Sequence, residues 1–282
     1  MSRLLKANFA RLIKSRIFWI GMAFSIGMGL LATTTQYREM LSIDGYYPHI
    51  DNILYSNGIF MPVVAAVFVG LFTGTEYSDG TIRNKLMIGH TRTAIYTANL
   101  IVCTVALVLI HLAYIAVVAG VGIPLVGNIE ADVGALVMLG LLSLATVIAL
   151  SALFLMMSIL ISSKANGAAA SIIVSIVLLM AAMMIQNRLQ QPEYYDAYSV
   201  SYTADTGETH EDSVVREKNP HYLEGTKRKV YECLYDFLPG CQMVQISAQN
   251  PAHPERLPLY SLSIIIVTCT CGVLCFGRKN IK

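Results

Sequence analysis

Six apolar runs alternate with polar segments along the chain, at about 17–33, 53–73, 94–121, 133–161, 165–185 and 257–276. At 1.5 Å per residue, runs of roughly 20 residues are what a helix needs to cross about 30 Å of hydrocarbon. Pro62 lies inside the second run and predicts a kink there. Gly122-Ile123-Pro124 predicts the end of the third run. The fourth run is longer than a bilayer requires, which predicts a tilted or broken helix.

The polar segments carry patterns of their own. In residues 1–16, Leu5, Phe9, Leu12 and Ile13 recur at helical spacing among Arg3, Lys6, Arg11, Lys14 and Arg16. This predicts a basic amphipathic helix lying on a membrane surface, although a plain cytoplasmic flank of the first span needs the same bases. Residues 186–256 form a long polar loop. Its first half, Tyr194 to Lys218, is acidic and aperiodic. Its second half predicts a helix at 226–238, with Val230, Leu234, Phe237 and Leu238 on one face and a stop at Pro239-Gly240. The predicted fold is an all-α polytopic membrane protein. It has an interfacial helix at 1–16, spans one to five within 17–185, a large extracellular loop at 186–256, and a sixth span with a cytoplasmic tail at 257–282.

Composition agrees with this reading. A hydrophobic fraction of 55%, a mean hydropathy of +0.57 and only 13% charged residues exclude an ordinary soluble domain. The first residues lack the short apolar core and A-x-A-like site of a cleavable signal peptide. Charge then orients the chain. With six spans, both termini and the segments at 74–93 and 162–164 share one side. That side holds Arg3, Lys6, Arg11, Lys14, Arg16, Arg83, Lys85, Arg92, Lys164, Arg278, Lys279 and Lys282 against the acids Glu76 and Asp79. Lys and Arg in short loops mark the cytoplasm, so both termini are predicted to be cytoplasmic, in a plasma membrane of bacterial type, with 186–256 outside.

The stretch from Gly74 to Leu86 is the most polar hinge between two spans in the first half. Asp79-Gly80 predicts a turn, and 81–86 a short helix capped by Asp79 or Thr81. Such a helix is either a docking surface of mixed charge or a solvated loop whose bases set topology. Gly80-Thr81-Ile82-Arg83-Asn84-Lys85-Leu86 resembles the element between the second and third spans of type-2 ATP-binding-cassette (ABC) exporter permeases. The order of elements along most of the chain resembles that family too, whereas the large loop before the last span departs from some of its subfamilies.

The resemblance implies the membrane permease subunit of an ATP-driven exporter. Two ABC ATPase subunits would dock on a coupling element of Glu76, Tyr77, Asp79, Gly80, Thr81, Arg83, Asn84 and Lys85, and would hold ATP and Mg. A second permease copy or a related subunit would complete a path at the dimer interface. Nucleic acid is not an expected partner. The chain contains no G-x-x-x-x-G-K-[ST] pattern, and no catalytic or metal constellation stands out, so it is read as non-enzymatic and cofactor-free.

Two other classes remain open: a secondary transporter, against which the spans lack paired acids and a visible repeat, and a non-transporting anchor or sensor of an ABC-type immunity or signalling complex. His111, near Tyr114 in the third span, is a candidate intramembrane polar site or a neutral histidine bonded to a neighbouring helix. Cys233 and Cys241 could pair if their loop faces an oxidising side, although nothing in the sequence requires the bridge. Small-residue stripes at Gly21/Ser25/Gly29 and Gly167/Ser171/Ser175 favour close helix contact, either inside one bundle or between subunits; the resemblance favours a dimer, with the first stripe at or near its interface.

Overall fold

The computed structural model describes residues 1–127, 129–161, 163–196, 202–203, 209–210 and 216–279. Asn128, Ser162, most of the acidic stretch 197–215 and the last three residues of the basic tail lie outside the described residues.

Helix α1 (Ser2–Lys14) turns sharply at the extended Ser15 into α2 (Arg16–Ser42), the first of six helices long and apolar enough to span a membrane. α2 runs about two turns past the apolar stretch, and the Thr33 and Thr35 hydroxyls bond back to the carbonyls of Gly29 and Leu31. The chain then makes one short turn, α3 (Asp51–Leu54), and a 3-10 turn at Ser56–Ile59 before α4 (Met61–Ser78). Two expectations are corrected here. The apolar residues 53–60 are not part of the second span. Pro62 occupies the first turn of α4, where its missing N–H has no partner to lose, and it kinks nothing.

The hinge is also shorter than predicted, because α4 continues through Gly74, Thr75, Glu76, Tyr77 and Ser78. Only Asp79 and Gly80 separate it from α5 (Thr81–Met87). Gly80 holds φ +65°, a left-handed conformation that glycine adopts without strain, and neither Asp79 nor Thr81 caps α5 with its side chain. α6 (Arg92–Val117) passes through a π turn at Val118–Gly122 into α7 (Ile123–Val126). Pro124 therefore lies in the first turn of α7, and the helical run ends at Gly127 (φ +81°).

α8 (Val133–Ile161) is one unbroken helix, and α9 (Lys164–Leu189) follows after a cap in which Ser163 Oγ accepts from the Asn166 amide. Strand β1 (Tyr194–Asp196) pairs antiparallel with β4 (Arg216–Lys218), and β2 (Tyr202–Thr203) with β3 (Thr209–His210). α10 (Gly225–Phe237) matches the predicted loop helix. The sequence reading missed what comes next. Pro239-Gly240 starts a second helix, α11 (Pro239–Ser247), in which every residue is buried. α12 (Leu257–Arg278) closes the bundle.

α11 re-enters the bundle between α8, α9 and the 3-10 turn. A polar helix can sit at this depth only if its side chains find partners. Gln242 Oε1 accepts from Thr146 (3.0 Å) and Ser261 (2.7 Å), and its Nε2 donates to the Asp236 carbonyl (2.8 Å). Gln245 Nε2 donates to the Tyr235 carbonyl at 2.8 Å.

α4 lies between α8 and α9 at the centre of the bundle. Its contact with α9 is backbone on backbone: a Cβ added at Gly70 would lie 2.9 Å from Ala168 Cα, and one at Gly74 would lie 2.8 Å from Lys164 Cα. Both small-residue stripes pack inside this one chain. Ser25 Oγ donates to the Ile110 carbonyl of α6 at 2.8 Å, Gly29 lies against Val117 and the Tyr114 carbonyl, and Ser171 and Ser175 are buried. The expectation that Gly21/Ser25/Gly29 forms a subunit interface is corrected on this ground: α6 already occupies that face.

Gly74→Ala should therefore lower the apparent melting temperature of the purified protein in detergent, at a cost of about 1–3 kcal/mol. Gly27→Ala, whose added Cβ meets nothing within 4 Å, should leave it unchanged.

Candidate functional site

The end of the bundle that carries α1, α5 and the last residues of α12 is held by one buried carboxylate. α4 continues as a helix past Thr73, and three residues on it brings Glu76 round to the same inward face. The Glu76 side chain has 0% exposure. One oxygen, Oε1, accepts from Arg11 of α1 and from Lys85 of α5. The other, Oε2, accepts from Asn99 Nδ2 of α6 at 2.6 Å. Asn8 of α1 closes the ring: its Nδ2 donates to Asn99 Oδ1 at 2.7 Å, and its Oδ1 accepts from Lys85 Nζ at 2.9 Å. Four elements thus meet on a single charge.

The electrostatics follow from burial. Two cations share one carboxylate, and a buried ion must be paired to be tolerated. Burial pushes the Lys85 ammonium below its ordinary pKa, and Glu76 beside it pulls the other way. The Arg11 guanidinium lies 4.0 Å from the centroid of the Phe72 ring, so its remaining N–H edges meet a π face in place of an acceptor.

A second set of cations ties helix ends together beside this network. Arg92 Nη1 donates to the Phe276 carbonyl at 2.6 Å and to the Lys279 carbonyl. Lys279 Nζ donates to the Ile159 carbonyl at 2.8 Å and to that of Leu160, at the C-terminus of α8. Tyr77 Oη donates to Ile159 at 3.0 Å. Cations at helix C-termini satisfy orphan carbonyls and complement the dipole.

The predicted coupling residues separate into two groups. Glu76 and Lys85 point inward, and Tyr77 is half-buried on α8. The expectation that Glu76 lies on an exposed surface of mixed charge is corrected, because α1, α5 and α6 close over it. Asp79, Arg83 and Asn84 are exposed, and with them Met87 (71%) and Ile88 (78%), two apolar residues that the sequence reading left out. Thr81 donates through Oγ1 to the Glu76 carbonyl at 3.1 Å, which fastens the start of α5 to α4.

A family model described as ABC-2 family transporter protein matches residues 4–182, well over half of the chain and every member of the Glu76 network. The chain belongs to the ABC-2 transporter family. It is a multi-pass membrane protein of a family of permease subunits, which are not normally catalytic themselves and generally pair with an ABC ATPase subunit. Comparison with curated proteins returns no match.

The other candidates of this ABC-2 protein have structural partners. His111 Nδ1 accepts from Asn57 Nδ2 at 2.8 Å, so the proton on Nε2 is given to Ser143 Oγ at 2.9 Å, and Ser143 donates on to the Gly140 carbonyl. The Tyr114 hydroxyl lies 2.6 Å from Ser56 Oγ and donates to the Ile53 carbonyl. Together the two residues clamp the turn that leads into α4. Cys233 and Cys241 are both free thiols; Cys233 is exposed and Cys241 is buried, with its pKa pushed up to about 12 by burial. The two sit on successive helices, α10 and α11, and the bridge that the sequence allows is not formed in this structure.

Glu76→Gln leaves two cations without a counter-charge and should destabilise the fold by about 3–5 kcal/mol, read as thermal stability in detergent. A double-mutant cycle of Glu76→Gln with Arg11→Met should show coupling above about 1 kcal/mol. Separately, a water-soluble maleimide applied without reductant should modify Cys233 and spare Cys241, as read by peptide mass spectrometry.

Proposed function

We propose that this chain is the membrane subunit of an ABC exporter, with the exposed side of α5 as the surface on which a separate ATPase docks and the Glu76 network as the element that carries its movement inward. The observation that carries the reading is the junction itself. One buried carboxylate joins α5 to α1, α4 and α6, so α5 cannot move without them. Rigid contact at Asp79, Arg83 and Asn84, with Met87 and Ile88 as an apolar anchor, suits a soluble protein partner.

In this reading both termini and α5 are cytoplasmic, in a plasma membrane, and 186–256 is outside. The excess of Lys and Arg at the α5 end supports that orientation. ATP and Mg belong to two ATPase copies, and hydrolysis occurs wholly in them. Two permease copies, or one copy and a related subunit, form the path, and cargo moves outward. A non-transporting anchor or sensor would use the same docking surface and differ only in moving no cargo.

The experiment is co-purification with the ATPase. Arg83→Glu, and Met87→Ser with Ile88→Ser, should each reduce recovered ATPase at least several-fold while the permease keeps its thermal stability. Full recovery in both variants would remove α5 as the docking surface. Export of a cargo by vesicles holding both subunits separates the exporter from the anchor.

A further inference from the structure

The opposite end of the bundle, remote from α5, carries a half-open cavity of about 760 Å³. Its walls come from the last turns of α9, from β1, from the loop before α10 and from α10 itself. The apolar side is Met184, Ile185 and Leu234; the polar side includes Arg188, His221 and Tyr231. The volume falls in the range of small-ligand sites, roughly 300–1,000 Å³.

Two observations specify the ligand. The first is charge. Arg188 and His221 line the cavity, and among the described residues no carboxylate does. Arg188 has no acidic partner among the described residues, whereas the neighbouring Arg228 is paired with Glu232 at 3.0 Å. The second is continuity with the membrane. Ile173, Val177, Met180 and Met184 recur at helical spacing on α9, are 57–68% exposed, and lead up one face of the span to Arg188. A track of exposed apolar residues that ends in an unpaired guanidinium matches a molecule with an apolar chain and an anionic head. In a bilayer, the phosphate of a phospholipid lies at that height, and Arg binds phosphate in a planar, multidentate fashion.

We propose that this cavity is a binding site for an anionic phospholipid. Its phosphate is held by Arg188, with His221 and Tyr231 as further donors, and one acyl chain runs down the Met184–Met180–Val177 face of α9. The assignment is independent of which side of the membrane this end faces and of any ATPase.

The test uses the full-length protein in nanodiscs and a phosphatidylglycerol carrying a photoactivatable group in its acyl chain. Crosslinks should map to peptides spanning 177–191 and 231–234. Arg188→Gln should reduce their yield about tenfold, the loss expected for one charge-assisted contact worth about 1.4 kcal/mol. Leu234→Trp, which fills the apolar side and leaves the charge, should reduce it as well. Unlabelled phosphatidylglycerol should compete, and phosphatidylcholine and inorganic phosphate should compete at least tenfold less well. Equal competition by phosphatidylcholine, or an unchanged yield in Arg188→Gln, would overturn the site. Competition by inorganic phosphate as strong as by the lipid would replace it with a free-anion site. Crosslinks to a second copy of this chain at the same α9 residues, with none to lipid, would overturn it in favour of a protein contact.

Discussion

A carboxylate taken out of water has to be met by charge and by hydrogen-bond donors, and Glu76 meets that requirement by recruiting three other elements. Each partner alone is ordinary: an arginine on an amphipathic helix, a lysine on a short surface helix, an asparagine in a span. Gathered on one carboxylate, they fix the angle at which α1 and α5 leave the bundle. Without Glu76, α1 would keep the packing of Leu4 and Leu12 and the hydrogen bonds of Asn8 to Asn99 and Lys85, but no ion pair. The second web, of Arg92 and Lys279 on helix-end carbonyls, holds α6, α8 and α12 in the same way. One end of the molecule is therefore organised by charge, whereas the middle is organised by packing of apolar faces.

This contrast explains what the sequence revealed. Hydrophobic runs of the length of a bilayer are hard to misread, and five of the six spans begin or end within a few residues of their predicted limits. Local chemistry misleads where one residue type suits two positions. Pro62, Pro124 and Pro239 each suggest a kink or a stop, yet each stands in the first turn of a new helix, a position that suits proline equally well. The polar residues from Gly74 to Ser78 suggest a loop, yet they continue α4, with Gly74 and Glu76 on its buried face. The signal for the Glu76 network was present in a form that single segments do not display. Asn8 sits in the apolar stripe between Leu4 and Leu12, and Asn99 sits on the buried face of α6 beside Tyr96 and Cys103. A polar residue at a core position calls for a partner elsewhere in the chain, but sequence spacing does not say which partner.

α11 was illegible for a related reason. Its composition, with two glutamines and a serine, suits a surface loop, and only Thr146, Ser261 and nearby carbonyls make its burial tolerable. Residues from α8, α12 and α10 had to be brought together before a polar helix could be stable at that depth. The segment that departs most from a simple helical bundle is thus also the one in which no single stretch of sequence carries the information.

The seam between α4 and α9 has a mechanical consequence. At Gly70 and Gly74 the helix of α4 comes up against the backbone of Ala168 and Lys164 with no side chain of its own between, so little slack is left to take up. Two rods in such contact can be carried together or slid past each other, but they cannot be wedged apart in small steps. Any opening of a passage must then leave this pair intact as one stiff strut and find its give elsewhere, along surfaces furnished with deformable side chains such as the methionines of α9. The glycines that look like the weakest points of α4 are in this sense what makes it a beam.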